Sequence, residues 1–332
     1  MKSNCSIIIP TFNRAEELKK LLQNLLLQTV LEQIEEVIIC DSNSQDETSI
    51  ILENFKKEFN PTKILHLQTE NNISKKRNLG INNASTNNLI FFDDDCEPKK
   101  DCVEKHLLSL DGSVKSIFSG TVKFPIDQVI SNNYIRYRDS RHRFFDSYTE
   151  NDELDFKEIV TMNMSLKKDD LFKESLFFDE SFMGYGMEDN EFAFRAQKQG
   201  FRLLMTKAEI IHHDWHDLNT YRKKIYSTAK NGTAHFLEKS PEAVWEFYYS
   251  KLLEPDYPNR KNIHKFIGFL LSLLLNKNIA NLLAYFLRKT NSISFLYSNL
   301  LFRYILAYEY REGIKHRNER FKTIEDTKDG FY

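Results

Sequence analysis

Residues 88–101 read NLIFFDDDCEPKKD, an apolar run that ends in three consecutive aspartates. Leu89 to Phe92 have the composition of a buried strand, and Asp93, Asp94 and Asp95 then repel one another unless a cation neutralises them. A metal site is one explanation, because Mg²⁺ and Mn²⁺ prefer carboxylate oxygens and the side chains of Asp93 and Asp95 lie on the same side of a strand. Helix capping is the other, because Asp is favoured at a helix start and a helical pattern follows.

The first hundred residues alternate between strand and helix patterns. Apolar runs and helical patterns follow in turn, with strands at 5–10, 35–42, 62–68 and 88–95 and helices at 11–28, 43–59 and 74–85. Strands separated by such helices predict an α/β fold, with a mostly parallel sheet flanked by helices. Ligands of these sheets bind beyond the carboxyl ends of the strands. Polar residues follow three of those ends, at 11–14, 41–44 and 93–95, so we expect one shared site there.

Composition limits the classes of function. The chain has 332 residues, 41% hydrophobic and 28% charged, with a formal net charge of −2, which is ordinary for a folded protein and gives no global positive field to recruit nucleic acid. The four cysteines are not in C-x-x-C pairs, and we expect buried, reduced thiols at Cys5, Cys40, Cys96 and Cys102. This pattern and the lack of a signal-peptide pattern predict a cytoplasmic protein.

The end of the chain has a helical pattern from about residue 216. Two apolar stretches, 266–275 and 279–289, are separated by an Asn-Lys-Asn sequence at 276–278. Each is shorter than the roughly 20 residues that span a membrane, and joining them would bury polar residues at its centre. Basic residues nearby favour a helical pair on the inner membrane surface. A helical hairpin that packs on the catalytic domain or on a second subunit of a homo-oligomer explains the pattern equally well.

Two further clusters carry reactive side chains. In residues 182–195, FMGYGMEDNEFAFR, glycines precede Glu188 and Asp189 at a helix start. A carboxylate on such a loop can accept a proton from a hydroxyl nucleophile, although a capped amphipathic helix with a solvated end explains it too. In residues 210–216, IIHHDWH, histidines at the end of a strand suit a metal site that also contains aspartate, or a zinc hydrolase, which would normally show an H-E-x-x-H sequence.

The order and spacing of these segments resemble family 2 inverting glycosyltransferases of the GT-A fold, over roughly residues 4–235. The segments that carry the resemblance are SIIIPTFNR, EVIICDSNSQDET, NNISKKRNLGINNAS, LIFFDDDCEP, GYGMEDNEFAFR and IIHHDWH. The resemblance implies a catalytic domain at 1–235, with a nucleotide-binding half at about 1–110 and an acceptor half at about 111–235. A helical region at 236–332 would follow it.

The resemblance also implies roles for single residues. A nucleotide-sugar donor, most often a UDP-sugar, would be bound by Pro10, Thr11, Asn13, Arg14, Asp41, Arg77, Asp93 and Asp94. Mn²⁺ or Mg²⁺ would be held by Asp93 and Asp95 with His212 or His213, and the "HD" step slightly favours His213. Tyr185 would replace the tryptophan of the family's Trp-Gly-Gly pattern as a platform for the sugar.

The implied chemistry is a single displacement. Asp189, with Glu188 orienting it or the acceptor, would take the proton of an acceptor hydroxyl that attacks the anomeric carbon and inverts it. The acceptor would be a glycan or lipid-linked glycan of a bacterial surface polysaccharide, such as capsule or lipopolysaccharide. Two rival hypotheses are a sugar nucleotidyltransferase, which would normally have a glycine-rich loop where this chain has PTFNRAEEL, and an inactive scaffold protein.

Overall fold

The computed structural model describes residues 4–213, 216–247, 249–250 and 262–322. The predicted histidine cluster includes Asp214 and Trp215, which lie outside the described residues, as do 251–261 and 323–332 of the predicted C-terminal region. The strands are β1 Cys5–Thr11, β2 Ile34–Asp41, β3 Lys63–Gln68, β4 Asn88–Phe92, β5 Cys96–Pro98, β6 Ser116–Lys123, β7 Asn163–Lys167 and β8 Arg202–His212.

The helices fall into two groups along the chain. Those of the N-terminal and central parts are α1 Ala15–Leu25, α2 Thr48–Glu58, α3 Ile73–Asn83, α4 Cys102–Leu110, α5 Ile126–Ser131, α6 Asn133–Ser140, α7 Lys168–Glu174 and α8 Glu188–Lys198. Those that follow the last strand are α9 Leu218–Ser227, α10 Ala234–Lys239, α11 Pro241–Val244, α12 Asn262–Leu274, α13 Lys277–Lys289 and α14 Asn299–Lys315. A π-helical turn, Thr228–Thr233, joins α9 to α10.

The strands form one sheet in the order β3-β2-β1-β4-β7-β6-β8-β5. The predicted parallel arrangement is confirmed from β3 to β4, where β1 pairs in parallel with both β2 and β4. Beyond β4 the sheet is mixed, because β7 runs antiparallel to both β4 and β6. All seven residues of β1 are buried, and β1 lies between β2 and β4. Its carboxyl end is therefore flanked by strands on both sides, at the edge of the sheet where ligands bind.

The three aspartates lie between two strands rather than at a helix start. β4 ends at Phe92, the short strand β5 follows at Cys96, and α4 begins only at Cys102 with Asp101 before it. The capping explanation is therefore wrong, and another interaction has to balance these charges.

The C-terminal helices pack on the central part of the chain. Phe302 of α14 and Leu287 of α13 are buried in one apolar cluster with Tyr137 of α6. Further along α14, Tyr310 and Ile314 bury Ala229 of the π-helical turn. Residues of α13 and α14 thus pack on the central part of the chain. The domain boundary at residue 235 stays a prediction, as does the choice between a packed hairpin and an interfacial helical pair. In the ranges given above, no helix has the length and apolar character that crossing a membrane requires.

Candidate active site

A cleft of about 150 Å³ opens at the carboxyl ends of β1 and β4, and we call it the carboxylate cleft. Ten residues to which the sequence analysis gave a role line it: Pro10, Thr11, Arg14, Arg77, Asp93, Asp94, Asp95, Tyr185, Glu188 and His212. The structure thus brings together side chains from the ends of two strands, the loop after β1, helices α3 and α8, and the end of β8.

Arg14 neutralises two of the three aspartates. Its guanidinium lies 3.1 Å from an Asp94 oxygen and 3.0 Å from an Asp95 oxygen. Asp94 also accepts a hydrogen bond of 2.8 Å from the Thr11 hydroxyl. Burial raises the pKa of the Asp94 carboxyl to about 7, against the opposing charge of Arg14. Asp94 therefore faces the end of β1, in agreement with the alternation of side chains along a strand.

Arg77 joins the first aspartate to the acidic helix start. Its guanidinium donates to Glu188 at 3.0 Å and to Asp93 at 3.4 Å, and only 3% of its side chain is exposed. The second carboxylate oxygen of Glu188 is buried and accepts no hydrogen bond among the described atoms. A buried acceptor without a partner is costly, so this oxygen is available to a bound hydroxyl.

Asp95 has the most cationic surroundings of the three. Besides Arg14, the His212 ring nitrogen Nε2 lies 3.4 Å from its carboxylate. Burial alone would raise the pKa of Asp95, but the charges of His212 and Arg14 outweigh it and hold this pKa well below its usual range. Asp95 is therefore the most readily ionised of the three.

His213 does not face the carboxylate cleft. Its Nε2 pairs with Glu97 at 2.8 Å, while His212 pairs in register with Cys96, beside Asp95. Successive side chains of a strand point to opposite faces, so only one of these two histidines can reach the aspartates. The geometry favours His212 as the histidine of the metal site, whereas the sequence slightly favoured His213.

Asn13 and Asp41 stabilise two loops behind the cleft, the loop after β1 and the loop after β2. The Asn13 side chain accepts from the Gln45 backbone N–H at 2.8 Å. Asp41 is fully buried and accepts from the Ser44 hydroxyl at 2.6 Å and from His66 at 3.1 Å. Burial would raise the pKa of Asp41, but these hydrogen bonds outweigh it and lower the pKa below its ordinary value. Asn13 thus joins the loop after β1 to the loop after β2, and Asp41 holds the loop after β2 against β3.

The loop before α8 is shaped by close backbone contacts. Gly186 has a φ of +90°, in the left-handed region that favours glycine. A Cβ on Gly232, in the π-helical turn, would lie 2.0 Å from the Gly186 carbonyl oxygen, so only glycine lets the two segments touch. This contact fixes the start of α8, where Glu188 lines the cleft.

Asp189 follows at the next position of α8. Its carboxylate accepts from the Asn190 N–H at 2.8 Å, and burial together with the neighbouring Glu188 charge raises the pKa of Asp189 to about 7. In the part of the chain that the structure describes, Asp189 is not among the residues that line the cleft. The charges of two residues that do line it act on the pKa of Asp189 nevertheless, since Arg77 lowers this pKa and Asp93 raises it.

Two cationic side chains of the cleft, those of Arg138 and Lys224, were not predicted from the sequence, whereas His216 belongs to the predicted histidine cluster. Arg138 of α6, Lys224 of α9 and His216 also line it, and the Lys224 ammonium lies 4.7 Å from the centre of the Tyr185 ring. Sequence patterns gave no signal for Arg138 and Lys224, because these two residues sit in ordinary amphipathic helices. Lys76, next to Arg77, is buried as well and donates to the Thr11 carbonyl at 3.0 Å.

The residues suit a divalent metal in kind. The carboxylate oxygens of Asp93 and Asp95 are ligands that Mn²⁺ prefers, and the buried Nδ1 of His212 has no hydrogen-bond partner in the described chain. In the structure, the Asp95 carboxylate forms an ion pair with the guanidinium of Arg14. Among the described side chains, no three His, Cys, Asp or Glu residues are grouped so as to hold a metal ion.

Comparison with known proteins gives the family. The model of Glycosyl transferase family 2 matches residues 6–228. Glycosyltransferase AglE of Haloferax volcanii is 32% identical over 119 residues, which cover 36% of this chain and 39% of AglE. The match therefore spans about two fifths of that relative.

Two solved structures resemble the chain over nearly its whole length. The mannosyltransferase PcManGT from Pyrobaculum calidifontis, in complex with GDP-Man and Mn²⁺, has a TM-score of 0.59 at 16% identity, with 94% of this chain and 87% of that chain covered. Residues 1–349 of S. aureus TarS, in complex with UDP-GlcNAc, give a TM-score of 0.50 at 15% identity, with 96% of this chain and 93% of that chain covered. At such identities the likeness establishes the GT-A fold, and with the match over residues 6–228 the chain belongs to glycosyl transferase family 2.

Proposed function

We propose that this protein is an inverting, metal-dependent glycosyltransferase that moves a sugar from a nucleotide-sugar, with UDP-sugars as the first candidates, to a hydroxyl group of a glycan or lipid-linked acceptor. The observation that carries the proposal is the junction of Asp93 and Glu188 through the buried Arg77. This junction ties the predicted metal-binding strand end to the predicted catalytic helix start. The GDP-Man and UDP-GlcNAc complexes of the two structural neighbours support a nucleotide-sugar donor.

The donor diphosphate is the group that these charges suit. Asp93, Asp95 and His212 would hold Mn²⁺ or Mg²⁺, which neutralises negative charge on a leaving diphosphate. Arg14 and Arg77 are two of the cations that line the cleft, and both can hydrogen-bond phosphate oxygens in two-point fashion. Arg77 is buried in a site of low dielectric, so it stabilises developing charge more strongly than it would in water.

Asp189 is the proposed general base. A base works best when its pKa lies near the working pH, and the pKa of Asp189, raised by burial and by Glu188, is about 7. Glu188 would orient the acceptor hydroxyl through the oxygen that lacks a partner. Attack by that hydroxyl from the side opposite the diphosphate inverts the anomeric centre, because the reaction has one displacement only.

The first experiment measures donor chemistry. The purified chain is incubated with Mn²⁺ and a panel of UDP- and GDP-sugars, and nucleoside diphosphate release is followed. We expect release from one donor, and NMR of the product with an added acceptor should show an inverted anomeric configuration. Release with a retained configuration would contradict the mechanism. Neither release nor nucleotide binding by a folded chain would favour the scaffold hypothesis.

The metal assignment has its own test. We expect Asp95→Ala to remove Mn²⁺-dependent UDP binding measured by calorimetry, because the best ionised of the three carboxylates is lost. Asp111→Ala, an exposed aspartate after α4, is the control and should leave the affinity unchanged. Equal UDP affinity of Asp95→Ala with and without Mn²⁺, at the wild-type value, would exclude Asp95 as a ligand.

We also propose that the C-terminal helices lie on an anionic membrane surface. α12 exposes a row of large apolar side chains that includes Phe266, Phe269 and Leu273, and α13 exposes Leu282 and Tyr285, each at 58% or more. Residues 262–308 contain no Asp or Glu. The cations of this segment are Lys265, Lys277, Arg288, Lys289 and Arg303. Apolar rows with cations and without acidic residues suit the headgroup region of anionic lipids, where each Lys or Arg near the surface adds about 1 kcal/mol.

Sedimentation with vesicles tests this surface. The full chain should sediment with phosphatidylglycerol vesicles and much less with phosphatidylcholine vesicles. Leu282→Glu should abolish sedimentation, whereas Ile50→Glu, at an equally exposed position on α2, should not. The alternative outcome is a protein that sediments with neither kind of vesicle and forms dimers. If Leu282→Glu dissociates those dimers, a second copy of the chain covers the exposed apolar side chains of α12 and α13. Membrane binding would place the enzyme beside a lipid-linked acceptor of a surface polysaccharide, on the cytoplasmic side.

A further inference from the structure

A second cavity, of about 360 Å³, lies between α5, α6, the start of α9 and α13, and we call it the side cavity. Gln128 and Asn132 form one wall, Asp217 lies at the start of α9, and Arg288 and Asn291 come from α13 and the residues after it. Its volume falls within the range of about 300–1,000 Å³ that is usual for pockets that bind small molecules.

The side cavity adjoins the carboxylate cleft. His216 lines both, and its Nδ1 lies 3.3 Å from the Lys224 ammonium, which lines the cleft. The two spaces therefore share the His216 side chain as a common lining residue. A chain of linked rings could pass from one space to the other.

Three polar side chains of the cavity, those of Asn132, Asn291 and Asp217, are held in position by the protein itself. The Asn132 side chain accepts from the Ile135 N–H at 3.0 Å, and the Asn291 side chain accepts from the Tyr134 N–H at 2.9 Å. Asp217 accepts from the Thr220 N–H at 2.8 Å. Groups that are oriented before a ligand arrives lose less conformational entropy on binding.

These groups match the chemistry of a sugar. Amides both donate and accept hydrogen bonds, as a ring hydroxyl does, and Ile135, Leu218 and Leu287 supply an apolar surface for the carbon face of a ring. Asp217 offsets the charge of Arg288, so the cavity does not select for an anion. A second nucleotide would need the cations that are concentrated in the carboxylate cleft instead.

We propose that the side cavity binds a sugar ring of the acceptor glycan, adjacent to the ring whose hydroxyl reacts; this rests on the proposed function. The site uses α13, so the C-terminal helices form a wall of the acceptor path. Gln128 and Arg288 are the residues whose replacement tests it, because both are solvent-accessible and replacing them removes no packing of the core.

The test measures saccharide binding to the full chain with UDP and Mn²⁺ present. The probes are maltose, cellobiose, lactose and N,N′-diacetylchitobiose, observed by saturation-transfer NMR. We expect a signal from at least one disaccharide. Gln128→Trp, which fills the cavity, should abolish that signal, and Gln23→Trp, on the exposed face of α1, should keep it. Arg288→Ala should weaken binding about tenfold, as expected for the loss of one hydrogen bond from a charged group.

The outcomes separate the two proposals. If no disaccharide gives a signal, or if Gln128→Trp and Arg288→Ala leave the signal unchanged, the acceptor subsite is wrong. Nucleoside diphosphate release by the wild-type chain is measured in parallel. Release together with an unaffected saccharide signal overturns the subsite only, whereas a chain that neither releases nor binds nucleotide overturns the proposed function. Thermal melting of each variant shows that it is folded.

Discussion

The carboxylate cleft and the side cavity lie next to each other but are built from different interactions. The cleft is made of buried charges that balance one another, such as Arg77 between Asp93 and Glu188. The side cavity is made of amides held by backbone N–H groups, on helices that pack through apolar clusters. A cleft of this kind suits a charged diphosphate, and a cavity of that kind suits a neutral, hydroxyl-rich ring.

This difference has an energetic consequence. A buried charge that loses its partner is penalised strongly, by about 3–5 kcal/mol, whereas a solvated amide can exchange its partner for water. Substitutions that leave a buried charge of the cleft without its partner should therefore damage both chemistry and stability. Substitutions in the side cavity should change acceptor binding with little effect on folding.

The largest effect is expected for Asp189→Asn. The amide keeps the shape of the side chain but cannot take a proton, and general-base catalysis contributes about 10²–10⁴-fold. We expect sugar transfer to fall by roughly a thousandfold, with an unchanged melting temperature. The same substitution at the exposed Asp111 is the control. Transfer within a few-fold of the wild-type rate would rule out Asp189 as the base.

The next largest effect is expected for the C-terminal helices that pack beside the side cavity. Phe302 is fully buried and stacks on Tyr137 with ring centroids 4.8 Å apart. Phe302→Ala should lower the free energy of unfolding by about 3–5 kcal/mol, as large-to-small changes in a core do. Leu282→Ala, on the exposed row of α13, should change it by less than about 0.5 kcal/mol. Denaturant unfolding measures both, and similar small values for the two would mean that α14 is an appendage outside the core.

A smaller effect is expected in the pH profile. The proposed base must be ionised, and the pKa of Asp189 is raised to about 7 by burial and by the charge of Glu188. Transfer should therefore be low at acid pH and rise through about pH 7. Glu188→Gln removes the repelling charge, so the pKa of Asp189 should fall and the rising limb should move to lower pH.

The position of that limb is independent of the overall rate, which Glu188→Gln will also lower. Rates at saturating donor between pH 5 and pH 9 measure it, and Asp111→Asn, at the exposed aspartate after α4, is the control. If the rise in rate occurs at the same pH in Glu188→Gln as in the wild type, a group other than Asp189 sets the pH dependence.

The sequence was sufficient to predict the parallel half of the sheet and the position of much of the carboxylate cleft. Asp93 to Asp95 and the Thr11–Arg14 segment follow strands whose apolar runs are unambiguous, and the carboxyl ends of parallel strands meet at one edge. The assigned roles of these residues stay predictions. The site could be located because a short-range pattern and one general rule decided its position.

The remaining features depend on long-range packing. Arg138 and Lys224 reach the cleft from α6 and α9, and no rule of sequence spacing predicts where those helices pack. The choice between His212 and His213 depends on the register of β8 against the three-residue strand β5, which was not predicted. A shift of one residue reverses which side chain faces the cleft, so the sequence alone could not decide it.

Asn13 gives the smallest expected effect and separates a loop-holding role from the predicted role in nucleotide binding. It has a φ of +52°, which Asn and Gly tolerate better than other residues, and its side chain accepts from the Gln45 N–H. Asn13→Gly keeps the backbone conformation and loses one hydrogen bond, which contributes about 1 kcal/mol. Asn13→Ala loses the same bond and adds about 1–2 kcal/mol of backbone strain.

If Asn13 only joins the two loops, the two variants should differ in stability, with Asn13→Ala the less stable. Their UDP affinities should then stay within a few-fold of the wild-type value. Denaturant unfolding and calorimetry with Mn²⁺ measure the two quantities. A hundredfold loss of UDP affinity in Asn13→Gly at nearly wild-type stability would mean that the side chain contacts the nucleotide directly, and the boundary of the donor site would then extend beyond the carboxylate cleft.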